Sequence, residues 1–335
     1  MTMQNLPSAV VSLIENSVVS EFATVSAAGV PIDTPTYCFA TDDLSAIGVA
    51  TGLSYPAKAE RARRNPKTGL LLEGTPGQPV VSIRGMAAVR DADLGANAIR
   101  YLSETGYEGV AAAANLSWNE AKQAVWYWTR IIIDVFPERI MWWDNAEAMD
   151  YPPHIWNAPR QNWAASDPAP SGKVSAAPQW PQRPWQEIAE GAVGRGAPAH
   201  LTLLDPDGWP LPIRATSCKL LGDTFRLTIP KAAPWQISGK ATLTFQGVET
   251  FVGAVTVEDN VTVFTVERAL PQNPLVLDPV QVLQPTDEVR KQLFGRLEQE
   301  TSRRGQPIPV LPDEPPAYTR LAKARVVRLR ELKLD

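Results

Sequence analysis

Residues 29–66 read GVPIDTPTYCFATDDLSAIGVATGLSYPAKAERARRNP, and the change of period along them decides the fold. Residues 30–40 are extended, rich in β-branched and aromatic side chains. They form a hairpin with strand-like residues 21–26, because Ala27-Ala28-Gly29 supplies a glycine at the turn. Residues 46–51 make a third short strand. Residues 55–64 then switch to a short basic helix, which Asn65-Pro66 stops because proline has no amide hydrogen to donate. Short strands interrupted by one basic helix are a barrel pattern, not a helical bundle.

Working outward, residues 8–19 carry Val10, Val11, Ile14 and Val18 at helical spacing. Downstream, residues 68–73 and 80–90 are two more strands, separated by Gly74-Thr75-Pro76-Gly77. A helix follows over 93–104. Ser117 with Glu120 forms a capping box, in which the two side chains satisfy orphan amides of a first turn, and it opens a helix to Trp128. Residues 130–135 and 139–143 read as two strands broken at Pro137. Residues 1–145 therefore predict a barrel of about six short strands, mainly β, with helices plugging its ends.

The composition narrows the function. At ~150 residues per domain, 335 residues predict about two domains. The net charge of −4, from 32 basic and 36 acidic residues, offers no footprint for nucleic acid. Two cysteines and two histidines make neither a disulfide framework nor a metal centre. Met1 to Pro7 lacks the basic-then-apolar order of a signal peptide, and no 18-residue apolar run exists, so the expectation is a cytoplasmic protein with no membrane partner. The 31 prolines, nearly twice the usual ~5%, concentrate in loops and in residues 146–184. That Pro/Ala/Ser-rich segment reads as an interdomain linker. Its Trp156, Trp163 and Trp180, with Trp185 at its end, argue that it lies against the domains.

Residues 185–335 echo the first half. Asp207-Gly208-Trp209-Pro210 repeats Ala28-Gly29-Val30-Pro31. Residues 242–245 repeat 70–72, and 251–255 repeat 83–87, so the chain predicts a diverged internal duplication. The basic helix has no counterpart beyond the shrunken stretch 230–239. A helix over 287–303, stopped by Gly305, and a last strand over 324–329 complete the expectation.

The chemistry concentrates in residues 29–85. Lys58 and Arg61 are three apart on the basic helix and therefore neighbours on one face. With the open amides of a helix start they suit a phosphate, although a solvated basic face has the same spacing. Asp42-Asp43 and Asp91/Asp93 sit at turns and read as turn formers. Cys38, with no histidine nearby, reads as a small buried hydrophobe, and His154 and His200 as surface or satisfied histidines.

The ordered set Gly29-Val30-Pro31, Thr34-Pro35-Thr36, Thr51, Ser54, Lys58, Asn65-Pro66 and Arg84-Gly85 resembles the flavin-binding split barrels. These are the pyridoxamine-phosphate-oxidase-like and flavin/deazaflavin oxidoreductase families. The resemblance covers residues 8–145 and implies tandem split β-barrels, the second degenerate. It also implies an FMN-dependent oxidoreductase moving a hydride or electrons on a small organic substrate. The cofactor residues it implies are Thr34, Pro35, Thr36, Thr51, Lys58, Arg61 and Arg84, with Lys58 and Thr51 at the phosphate. Tyr37, Tyr107, Trp142 and Trp143 are candidate pocket walls, each with ordinary packing as the plain alternative, and the resemblance favours Trp142 because tryptophan pairs recur in the family near this strand end. No catalytic acid or base is implied, since the flavin carries the chemistry. The family dimerises over its flavin, so a homodimer or an internal pseudo-dimer is expected, with Trp209, Arg214 and Lys219 facing the cofactor. The chain departs from the vitamin oxidases in having Thr34 and Phe39 where they carry an arginine and a lysine. A deazaflavin cofactor using Arg63 and Arg64, a haem-binding or haem-degrading barrel, and a non-catalytic flavin binder are the alternatives.

Overall fold

The computed structural model describes residues 2–106, 115–159, 163–175, 183–230, 237–245, 248–259, 261–271 and 283–324. In the first half, helix α1 (Ser8–Asn16) precedes strands β1 (Val19–Val25), β2 (Pro31–Ala40) and β3 (Ile47–Gly52). Helix α2 (Ala57–Arg64) leads into β4 (Lys67–Glu73) and β5 (Val80–Arg90). Helix α3 (Leu94–Thr105), the one-turn helices α4 (Trp118–Ala121) and α5 (Val125–Trp128), and β6 (Arg130–Trp143) follow.

The strands pair in the order β3-β2-β1-β4-β5-β6, and β3 also pairs with β6, which closes the barrel. Closure removes the exposed edges that an open sheet would present. The hairpin turn rests on Gly29, whose φ of 72° is cheap only without a Cβ. Phe22, Phe39, Leu70, Ile83 and Ile133 are fully buried in one core.

Two local expectations change. The capping box at Ser117 and Glu120 is present, but its helix ends at Lys122 and restarts at Val125. Pro137 does not break its strand. β6 is continuous because it bulges at Glu138, between the pairs Arg84–Arg139 and Gly85–Pro137, and a bulge is where a sheet tolerates proline.

In the second half, helix α6 (Trp185–Gly194) precedes β8 (Ala199–Leu204), β9 (Pro210–Arg214), β10 (Ser217–Leu221) and β11 (Thr224–Thr228). Strands β12 (Gly239–Phe245), β13 (Glu249–Glu258) and β14 (Val261–Ala269) complete a sheet ordered β10-β11-β14-β13-β12-β8-β9. The duplication is visible in the register. Val25 pairs with Pro31 as Leu204 pairs with Pro210. β13 shifts register between Val252 and Gly253, at the place of the Arg84/Gly85 bulge. β9 and β10 together match β2, with the strand interrupted at Ala215-Thr216. The expected last strand falls, save Ala324, outside the described residues, as does most of the shrunken stretch after Pro230.

The two barrels meet around a pseudo-two-fold axis. β4 packs on β9, and its counterpart β12 packs on β2. Thr242 Oγ1 donates to Pro31 O at 2.6 Å. In the mirrored contact Pro210 O comes so close to Gly69 that a Cβ there would overlap it.

Residues 146–184 are no free tether. Strand β7 (His154–Asn157) extends the first sheet beside β6, and Trp163 packs on Phe136. The Asp167 carboxylate accepts from the amides of Asp91 and Ala92. Helix α7 (Asp287–Arg303), placed as expected and ended by Gly305 at φ 65°, returns to the first barrel. It buries Leu293 and Leu297 in that core, and Arg296 donates to Ser54 O beside α2.

Candidate functional site

Helix α2 brings the basic residues to one end of the first barrel. No side chain caps its start at Pro56. Ala59 and Ala62 are buried, which lets the helix lie close to the strands. Lys58 Nζ donates to Pro35 O at 2.6 Å. Burial pushes its pKa down to about 7, helped by Arg61, and Asp33 offsets part of the shift. Arg61 Nε donates to Thr24 Oγ1 at 2.7 Å, and burial with Arg64 nearby lowers its pKa to about 10. Among the described residues neither Lys58 nor Arg61 makes an ion pair, and each donates to a neutral oxygen. Arg63 differs, being tied to Asp91 at 2.6 Å and to Asp167 O.

The β2 segment lies beside Lys58. Thr34 Oγ1 is buried without a hydrogen-bond partner. Pro35 gives its carbonyl to Lys58, and Thr36 Oγ1 donates to Ala50 O at 2.9 Å, which ties β2 to β3. Thr51 Oγ1 donates to Tyr55 O at 3.3 Å and shapes the turn into α2. Thr34, Pro35, Thr36, Thr51, Lys58 and Arg61 are therefore brought together.

Arg84 is placed elsewhere. It pairs with Glu138 and with Asp205 at 3.0 Å, and its guanidinium lies 5.3 Å from the Trp209 ring. It joins the two barrels. Arg214 is taken by Glu73, and Trp209 by Arg84 and Lys67. Tyr37 packs edge-on against Tyr101 at 6.1 Å. Trp142 is buried and stacks on His154 at 5.2 Å, away from α2. Tyr107 lies outside the described residues.

The sequence reading missed a second cationic centre, at Arg130. β6 begins with this residue, which is only 8% exposed. Its guanidinium lies 4.5 Å from the Tyr101 ring centroid and 4.1 Å from that of Tyr127. Nη2 donates to Tyr101 Oη at 3.4 Å, and Nε has no partner. Burying a charge without a counter-ion costs several kcal/mol, of which each ring face offsets about 0.5–2 kcal/mol. The available signal was an arginine heading the apolar run Ile131-Ile132-Ile133, just after Tyr127.

A third polar group lies between the barrels. His200 is 1% exposed, and Nε2 stands 2.7 Å from Glu73 Oε2. Nδ1 stands 2.8 Å from Glu21 Oε1, off the line of a hydrogen bond. Thr202 Oγ1 donates to Asp33 Oδ2 at 2.6 Å. Full burial and the nearby Glu21 push the Asp33 pKa up to about 8.

No family model matches the chain, and no curated protein matches it. Solved structures do match. General stress protein 26 from Bacillus anthracis is 15% identical, over 45% of this chain and 96% of that one, with a TM-score of 0.29. A pyridoxamine 5'-phosphate oxidase-related, FMN-binding protein from Nostoc punctiforme is 13% identical, over 42% of this chain and 86% of that one, with a TM-score of 0.31. An FAD-binding protein from Mesorhizobium loti is 16% identical, over 40% and 88%, with a TM-score of 0.29. By its own strand order, β3–β6 closure and repeated bulge, the chain is a mainly β protein of tandem split barrels, similar to the pyridoxamine-phosphate-oxidase-like proteins.

Proposed function

We propose that the first barrel binds FMN and that the chain is a flavin-dependent oxidoreductase acting on a small organic substrate. The observation that carries this reading is the pair Lys58 and Arg61, desolvated cations that each donate to a neutral oxygen. A phosphate is the partner such a pair lacks, because charge-assisted hydrogen bonds are about twice as strong as neutral ones. The partnerless Thr34 Oγ1 adds a donor on the adjoining strand. A bound flavin supplies hydride and electron transfer. The chain's own residues then hold the phosphate at Lys58 and Arg61 and run the backbone of Thr34–Thr36 alongside. The second barrel covers the β2 face at Asp33, so one chain provides the two-barrel arrangement internally.

FMN is favoured over a deazaflavin because Arg63 is already committed to Asp91 and Asp167. The haem reading loses support because His200 is held between Glu21 and Glu73, and His154 lies on Trp142. The test is the visible spectrum of the purified protein, followed by denaturation. A yellow protein that releases FMN, or that takes up added FMN, is expected. A Soret-type band, or a colourless protein that takes up no flavin, would overturn the reading.

A further inference from the structure

We propose that Arg130 is a second anion-binding residue, on β6 beside the Lys58 and Arg61 pair, which receives the carboxylate of a small organic acid as substrate. The inference rests on the flavin reading only for the word substrate; the binding site stands on its own geometry.

Three observations carry it. Arg130 is nine-tenths buried and makes no ion pair among the described residues. Its Nε is buried with no acceptor at all. Such a group calls for an anion that the protein itself does not provide.

The second observation is directional. The Tyr101 and Tyr127 ring centroids lie 4.5 and 4.1 Å from the guanidinium, with the two rings inclined at 68° to each other. A planar carboxylate engages a guanidinium along its in-plane edge with two parallel hydrogen bonds. Nη1 stands 3.3 Å from the point where a Cβ on Gly52 would sit, with Tyr55 Cδ2 3.5 Å from the same point, and Gly52 is the ladder partner of Arg130 on β3. A side chain at position 52 would crowd Nη1.

The third observation is the charge balance. Arg130 offers one positive charge. Burial pushes the Tyr101 and Tyr127 pKa values up, so both hydroxyls stay protonated and neutral. One cation with neutral donors matches a monoanion, whereas the Lys58 and Arg61 pair matches a phosphate. Tyr37 on β2 contacts Tyr101, which joins this pocket to the strand that carries Thr34–Thr36.

The experiment is calorimetric titration of the full chain with benzoate and with neutral benzamide, at matched ionic strength. Benzoate is expected to bind at least about tenfold tighter than benzamide. Arg130→Met is expected to abolish that preference, and Gly52→Ala to weaken benzoate binding several-fold by narrowing the Nη1 approach. Lys58→Ala should leave benzoate affinity within about threefold of the wild type, and Arg130→Met should do the same for FMN. The crossed pair separates failure of this inference from failure of the flavin reading. Gly52→Ala keeps the test decisive should Arg130→Met not fold. Absence of benzoate binding, equal affinity for benzamide, or an undiminished preference in Arg130→Met or Gly52→Ala would overturn it.

Discussion

His200 and Glu21 occupy the same place in the two barrels and face each other, with Nδ1 2.8 Å from Oε1. Glu21 is paired with Pro35 across its hairpin, and His200 is paired with Arg214 across the equivalent one. A duplicated position has diverged into an acid in one copy and a base in the other, and the pseudo-two-fold axis brings them together. Glu73 closes the group from the other side of the imidazole at 2.7 Å. His200→Ala would leave the buried Glu21 carboxylate without the ring beside it, while Glu73 keeps Arg214. Breaking a buried pair from one side costs about 3–5 kcal/mol. Chemical denaturation should show a loss of that order. A change below about 1 kcal/mol would mean that solvent reaches the group.

Asp33 gives the interface a pH dependence of known sign. Its carboxyl is raised from 3.8 to about 8 in the folded protein by burial and by Glu21. Between those values the folded state holds a proton that the unfolded state has released. Stability from this group therefore falls as pH rises from about 4 to about 8. Asp33→Asn should flatten that decline, by an amount on the order of a few kcal/mol at pH 8. Lys58 adds the opposite slope between about 7 and 10.5, so the comparison is cleanest below pH 7. Urea midpoints of both proteins across this range check the prediction.

Gly69 marks the closest approach of the two barrels. A methyl group there would overlap Pro210 O, which belongs to backbone and cannot swing aside. Gly69→Ala should cost about 1–3 kcal/mol by overpacking. Its counterpart in register, Thr242, already carries a side chain and uses it to donate to Pro31 O. Thr242→Val should cost less, about 1 kcal/mol, for one lost hydrogen bond. Thermal unfolding of the two variants gives the order directly.

The barrel was legible because its signals are local. Gly29 marks the hairpin, Asn65-Pro66 ends α2, and period-two alternation marks the strands. The repeat was legible from Gly208 and Gly253, which keep glycine where a positive φ or a bulge needs it. The continuous strand through Pro137 was not, because the bulge at Glu138 beside it shows only against the partner strand β5, fifty residues earlier in sequence. At the site, Lys58 and Arg61 share one helix face and could be paired from spacing. Arg130 could not, since its neighbours come from α3, α5 and β3. Arg84 kept its place in the motif, but Asp205 and Glu138 claim it, and only the folded chain brings those carboxylates near.

Lys58 also makes ligand binding depend on pH. With its pKa near 7, the ammonium is largely lost above neutrality in the free protein. A phosphomonoester has its second pKa near 6. FMN affinity should therefore be greatest between about pH 6 and 7 and weaken as pH rises further, by up to about tenfold per unit while Lys58 deprotonates. Fluorescence-quenching titrations from pH 6 to 9 test this, and a flat profile would separate Lys58 from the phosphate.

The measurement that bears most directly on the account compares FMN with riboflavin, which lacks the phosphate, in the wild type and in Lys58→Ala. The wild type should bind FMN at least about tenfold tighter than riboflavin. Lys58→Ala should lose about 1.5–3 kcal/mol for FMN, roughly 10- to 150-fold, and almost nothing for riboflavin. Equal affinities for the two flavins in the wild type, or an FMN affinity untouched by Lys58→Ala, would contradict the assignment of this site.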